Sequence, residues 1–177
     1  MKYSDEIKKA MTLLESNNKT IFIGQSVAYE GTGMYTSLTH IADNRKIELP
    51  VAEYLQCGLA NGMAIEGMIP VSIFPRWNFL LMGIDQIVNH LDKFILMSSG
   101  KCRPKVIIRV SVGSGSPVDP QDQHKGNFSE SLRLMCKTID IIELVKPEDI
   151  IPSYDKALNR DDGRSTILVE FMDLMRN

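Results

Sequence analysis

The chain has 177 residues, 44% of them hydrophobic and 24% charged, with a formal net charge of −2 at pH 7. Such a composition describes a folded globular protein with a sizeable core and excludes a disordered or fibrous one. A slightly acidic balance without a long Lys/Arg run gives no footprint for nucleic acid, and no apolar stretch reaches the roughly 20 residues of a membrane span.

The opening segment, MKYSDEIKKAM, carries acids and no apolar block, so it does not read as a signal peptide. The three cysteines, Cys57, Cys102 and Cys136, are odd in number, widely spaced and without a CxxC. Neither a metal site nor a disulfide framework is expected from them. Cys57 and Cys136 fall in apolar helical patterns and are expected as buried thiols of a reducing, cytoplasmic protein.

Along the chain, helical and strand periodicities alternate. Residues 4–16 place Ile7, Met11 and Leu14 on one helical face, with Asn17 and Asn18 as the stop. TIFIG (20–24) reads as a buried strand, followed by a loop around Gly31 and Gly33 and a weak helix near 34–42. KIELP (46–50) is a second strand, 50–65 a small-residue helix, and IPVSIF (69–74) a third strand. The strongest helical pattern runs from 79 to 97, where Leu80, Ile84, Ile87, Val88, Leu91, Phe94 and Ile95 recur at three and four. KVIIRVSV (105–112) is a fourth strand, 113–126 has loop composition, and 128–137 is helical. The strand IDIIELV (139–145), a helix after Pro147 and the strand TILVEF (166–171) complete the order. Alternation of this kind predicts a single α/β domain over 1–177 with a mainly parallel sheet flanked by helices.

In such a sheet ligands gather beyond the carboxyl ends of the strands, which directs attention to 24–33, 50–53, 75–79 and 113–126. Glu53 opens a helix directly after the second strand, where free amides and the helix dipole favour a carboxylate, whether solvated or functional. Trp77 and Phe79 lie just past the third strand, where an aromatic ring can cover a flat ligand or cap the core. His124 occupies a polar loop, as a catalytic imidazole or an exposed one. SVGSGSP (111–117) lacks both a following Lys-Ser/Thr and a GxGxxG, which excludes a Walker or Rossmann phosphate loop.

The segment LPVAEYLQCGLANGMAIEGMIPVSIFPRWNFLLMGIDQIVNHLDKF (49–94) adds an ordered set of motifs. Pro50-Val51-Ala52-Glu53 is followed by a Gly/Ala-rich helix, Gly67-Met68-Ile69-Pro70, Trp77-Asn78-Phe79 and Gly83-Ile84-Asp85-Gln86-Ile87-Val88-Asn89. This series resembles the beta subunit of the 2-oxoacid dehydrogenase first component and, more broadly, the pyrimidine domain of transketolases. Phe22 to Val27, MSSGK (97–101), Pro104 to Arg109 and Gln123-His124 extend the resemblance more loosely.

The resemblance implies thiamine diphosphate as cofactor. Glu53 would accept a hydrogen bond from its pyrimidine ring nitrogen, Phe79 would stack on that ring, and Trp77 and Gln25 would line the cofactor site. His124 would stabilise charge on the substrate-derived adduct, whereas Arg76, beside the aromatic, departs from the family pattern, as a selector of an anionic substrate or a surface arginine. Gln25 stands where the family usually has an acid, which weakens the case for a proton relay between paired sites. The His124 loop is longer than in the family, and the chain ends just after the last strand, where a further C-terminal domain is expected to be missing.

No GDG with a downstream Asn is present, so the Mg²⁺ and diphosphate would be held by a partner chain carrying that motif, with two copies of each chain. The expected activity is decarboxylation or acyl transfer on a 2-oxo acid. The alternatives are transketolase-type ketol transfer and a non-catalytic partner that retains the fold.

Overall fold

Six short apolar runs pair into one sheet: β1 (Thr20–Gly24), β2 (Lys46–Glu48), β3 (Ile69–Phe74), β4 (Ile107–Val112), β5 (Asp140–Glu143) and β6 (Thr166–Phe171). Every pairing is parallel, in the order β2-β1-β3-β4-β6-β5. The structure, a computed structural model, describes residues 1–113, 115 and 119–176. Part of the SVGSGSP segment, at 114, 116 and 117, therefore lies outside the described residues.

A parallel sheet must be covered on both faces, because its connections cross over it. One face is covered by α1 (Tyr3–Glu15) and α6 (Pro147–Asn159), whose Ile7, Met11, Leu14, Ile150 and Tyr154 pack with Phe22, Val71, Ile107 and Leu168. The other is covered by α2 (Glu53–Ile65), the helical run 77–97 and α5 (Ser129–Met135). Their Cys57, Ala60, Trp77, Leu80, Ile87 and Leu132 meet Ile23, Ile108, Ile167 and Val169. Neighbours along a strand, such as Phe22 and Ile23 or Leu168 and Val169, thus serve opposite layers, as the two-residue period requires.

Three elements differ from the sequence reading. The weak helix near 34–42 is replaced by 3₁₀ turns at Tyr35–Ser37 and Asp43–Arg45. There Thr36 and Ser37 hydroxyls donate to the Gly33 and Met34 carbonyls, competing with a longer helix. The helix after β2 begins at Glu53 rather than Pro50, because Ala52, at φ −156° and ψ 71°, lies outside the helical region. The pattern expected from 79 to 97 begins at Trp77 and is helical throughout but unevenly wound, with a 3₁₀ turn at Leu81–Gly83 and a π-turn at Gln86–Leu91 before α4 (Asp92–Met97). Asn61 donates to the carbonyl of Gln86, the first residue of that π-turn. Cys57 is buried, whereas Cys136 is only half-buried.

Two polar networks lock the layers. Arg109 on β4 and Glu170 on β6 are both 0% exposed and form a bidentate pair at 2.5 and 2.9 Å, with the Tyr154 hydroxyl donating to the same carboxylate. Burial together with the neighbouring Glu170 charge pushes the Tyr154 hydroxyl well above its ordinary range, so it stays a donor. Asp92 accepts the backbone N–H of Lys137 and Thr138 and the ammonium of Lys93, tying α4 to the turn before β5. Burial alone would raise its carboxyl, but the donors from Lys93, Thr138 and Lys137 outweigh it and hold it below the usual aspartate range.

Glu170→Ala strands a buried guanidinium and is expected to cost about 3–5 kcal/mol in urea unfolding. For Asp92, a folded-state pKa below the unfolded one contributes stability at neutral pH that is lost as pH falls below about 4. Asp92→Asn should therefore flatten the acid limb of stability against pH, measured by urea midpoints.

Candidate active site

The sheet order reverses at β1. The connection to β2 buries Met34, Leu38 and Ile41 in the α1/α6 layer, whereas α2 and the run after β3 lie on the opposite face. The segments leaving the carboxyl ends of β1 and β3 therefore diverge to opposite layers, and such a switch point is where open parallel sheets bind ligands. Gln25 follows β1 directly, Glu53 opens the helix after β2, and Arg76, Trp77 and Phe79 follow β3.

Glu53 is 9% exposed and sits at the first residue of α2, where the helix offers unsatisfied amides and positive dipole. Among the described residues its carboxylate takes one hydrogen bond, a long one of 3.4 Å from the Gln25 side-chain amide. Glu6, 4% exposed, also has a single donor, but that is the Lys9 ammonium at 2.7 Å, and three further carboxylates are more fully supplied. Glu170 has Arg109 and Tyr154, Asp92 has four donor groups, and Glu48 has three backbone amides. A nearly buried carboxylate with spare acceptor capacity fits a ligand that brings its own N–H.

The backbone around Glu53 is held by close packing. A Cβ on Gly83 would lie 2.4 Å from Cys57 Sγ and 3.2 Å from the Glu53 carbonyl oxygen, so only glycine lets the 77–97 run approach α2 so closely. Burial, with the Glu53 charge adding to it, pushes the Cys57 thiol up to about 12. That thiol is a packing group with no thiolate to offer at neutral pH.

Phe79 and His124 meet edge to face, with ring centroids 5.0 Å apart and planes at 62°. Arg76 Nη1 donates to the His124 carbonyl at 3.3 Å, bridging the β3 and β4 loops. Gly113 makes room for this contact, since a Cβ there would stand 2.1 Å from the Arg76 guanidinium. His124 Nδ1 is buried and has no partner among the described residues. Trp77 departs from the expectation of a ring on the cofactor. It is 0% exposed and packs edge to face against Phe128, so it offers no free face and acts as the core anchor of the loop.

The structure thus brings Gln25 to Glu53, and Phe79, Arg76 and His124 to one another, leaving Trp77 behind them. Sequence reasoning missed Glu48, whose carboxylate accepts from the amides of Ser26, Val27 and Ala28. No spacing signal marks it, because its partners are backbone groups on another strand's loop. Among the described residues no group of three or more His, Cys, Asp or Glu is placed to hold a metal ion. No helix among the described residues is long and apolar enough to cross a membrane.

The arrangement defines a class: a parallel α/β domain presenting an undersupplied carboxylate at the switch point of its sheet, with an aromatic ring in the helical turn after β3. The sequence pattern of the family described as transketolase, pyrimidine binding domain matches residues 1–176, and the chain belongs to that family of thiamine diphosphate pyrimidine-binding domains.

Among its relatives, the pyruvate dehydrogenase E1 component subunit beta of Rickettsia bellii is 34% identical over 116 residues, covering 64% of this chain and 35% of that protein. The mitochondrial subunit of the same description from Caenorhabditis elegans is 29% identical over 170 residues, covering 92% of this chain and 46% of that one. The chain therefore spans less than half the length of these relatives. A solved structure described as a split gene transketolase, inactive beta4 tetramer, superposes with a TM-score of 0.68 at 15% identity, covering 96% of this chain and 50% of that one. That likeness concerns the fold.

Gly83→Ala should force α2 and the 77–97 run apart, lowering stability by about 1–3 kcal/mol. Cys57, inert in the native protein, should then react with an aromatic disulfide reagent at a measurable rate.

Proposed function

We propose that this chain is the pyrimidine-binding part of a thiamine diphosphate-dependent enzyme acting on a 2-oxo acid. The observation that carries the reading is Glu53, almost enclosed at a helix N-terminus yet left with spare acceptor capacity at the switch point of the sheet. Its carboxylate would accept the protonated pyrimidine nitrogen, and Gln25, a neutral donor, would steady one oxygen and leave the other free. The cofactor, when bound, supplies the electron sink for breaking the bond next to a 2-oxo group.

Phe79 is half-buried and can offer a ring face to a flat heterocycle while its edge meets His124. His124 would donate to negative charge developing on the substrate, and Arg76, holding the His124 backbone, would keep that imidazole in place and lend positive potential for an anionic substrate. Mg²⁺ and the diphosphate would be held by a partner chain with a GDG motif. Exposed apolar side chains near Glu53, among them Val51 (78%), Tyr54, Leu55 and Met82 (69%), suit a docking face for that partner, in an assembly with two copies of each chain.

The similarity to pyruvate dehydrogenase beta subunits supports decarboxylation or acyl transfer. Ketol transfer is the second reading, favoured by the fold likeness to the split transketolase, whose own description as a tetramer agrees with a multi-chain enzyme.

Two measurements test the proposal. Calorimetric titration of thiamine diphosphate with Mg²⁺ should show binding to the two-chain assembly and none to this chain alone. Glu53→Gln should leave the melting temperature unchanged and lower turnover of a 2-oxo acid by about 10²–10⁴-fold, the range for losing a positioned proton-transfer partner. Unchanged turnover would reduce Glu53 to a helix-end acid and leave a non-catalytic partner as the better description.

A further inference from the structure

Glu48 lies at the end of β2, in register with Gly24 of β1, and the Leu49 N–H donates to the Gly24 carbonyl just beyond it. From there its side chain reaches the loop that leaves β1. One carboxylate oxygen accepts the Ser26 N–H at 2.6 Å, and the other accepts the Val27 and Ala28 N–H groups at 2.9 and 2.8 Å. Three successive amides converging on one carboxylate form an anion nest that the protein fills with its own side chain. Charge-assisted bonds of this length are the strong kind.

The nest has a conformational consequence. Ser26 has φ +54°, in the left-handed region that side chains larger than glycine rarely adopt, so something must hold it there. Turning the chain at Ser26 sets the direction in which the preceding residue leaves β1. That residue is Gln25, whose amide is the one hydrogen-bond donor on Glu53 among the described residues. Val27, the next residue, is fully buried, so the loop is anchored on its far side as well.

We propose that Glu48 is a positioning residue. By clamping the 26–28 turn it holds the Gln25 amide on one oxygen of Glu53 and leaves the other oxygen for the ligand. Glu48 touches neither ligand nor substrate. The inference rests on the reading of Glu53 given above, but the contact it concerns exists in the chain without cofactor and can be tested there.

The first readout is amide exchange and side-chain NMR on the full chain. In Glu48→Gln, exchange of the Ser26, Val27 and Ala28 amides should accelerate by about tenfold or more as a charged acceptor becomes neutral. The Gln25 side-chain amide resonances should shift, while core amides such as Ile23 and Val71 stay protected. The second readout is the assembled enzyme, where Glu48→Gln should lower kcat several-fold with the substrate KM little changed.

Glu48→Asp should recover part of both effects. Adding Ser26→Gly to Glu48→Gln should also recover part, because glycine takes the left-handed turn unaided. If Glu48→Gln does not fold, Glu48→Asp and the Ser26→Gly pair carry the comparison. Fast amide exchange with unmoved Gln25 resonances and unchanged kcat would overturn the proposal and make Glu48 a simple loop brace. Failure of the wild-type assembly to bind cofactor would instead refute the reading of Glu53, and the Gln25 resonances would still decide the role of Glu48.

Discussion

A parallel sheet that reverses its order at β1 cannot close over the carboxyl ends of its central strands. The connection leaving β1 belongs to one layer and the elements flanking β3 belong to the other, so their starting points separate. Everything proposed for this protein stands on that divergence. It sets the N-terminus of α2 at the switch point of the sheet, and there the Gln25 amide reaches the Glu53 carboxylate. The two cores on either side serve this geometry by holding the layers fast.

Within that frame, the carboxylates divide by how completely they are satisfied. Glu170 and Asp92 are buried and surrounded by donors, because a buried charge without partners is too costly to keep. Glu48 is only partly buried, yet it too is saturated, by the amides of a turn. Glu6 and Glu53 each have a single donor, but for Glu6 it is a close ammonium, whereas for Glu53 it is a long contact from a neutral amide. A fold maintains such an imbalance only where the surrounding packing over-determines it, and the contact of Gly83 with Cys57 and the Glu53 backbone supplies that packing. The saturated groups hold the protein together, whereas Glu53 keeps spare acceptor capacity.

The second half of the site is built differently. Phe79, Arg76 and His124 are related through aromatic contact and a backbone hydrogen bond, with no carboxylate among them. Its stiffness comes from behind, from Trp77 packed on Phe128 and from the Ser111 hydroxyl bound to the Pro75 carbonyl.

Periodicity alone carried the α/β architecture, since each strand and crossover helix writes its own local pattern of apolar residues. The motif order around Glu53 and Phe79 carried the family and the candidate residues, because that segment is continuous in the chain. Local pattern failed where side chains compete with the backbone, as at Thr36 and Ser37, and where two elements press together, as in the uneven winding between Leu81 and Leu91. It placed Trp77 beside Phe79 without revealing that one ring is wholly buried and the other half-open, since burial depends on Phe128, fifty-one residues further on. The contacts of Glu48 with the 26–28 turn had no sequence signal, and the resemblance placed Gln25 and Glu53 at one cofactor without giving the hydrogen bond between them. Both join residues twenty or more positions apart through the packing of neighbouring strands, and only the assembled sheet decides which groups meet there.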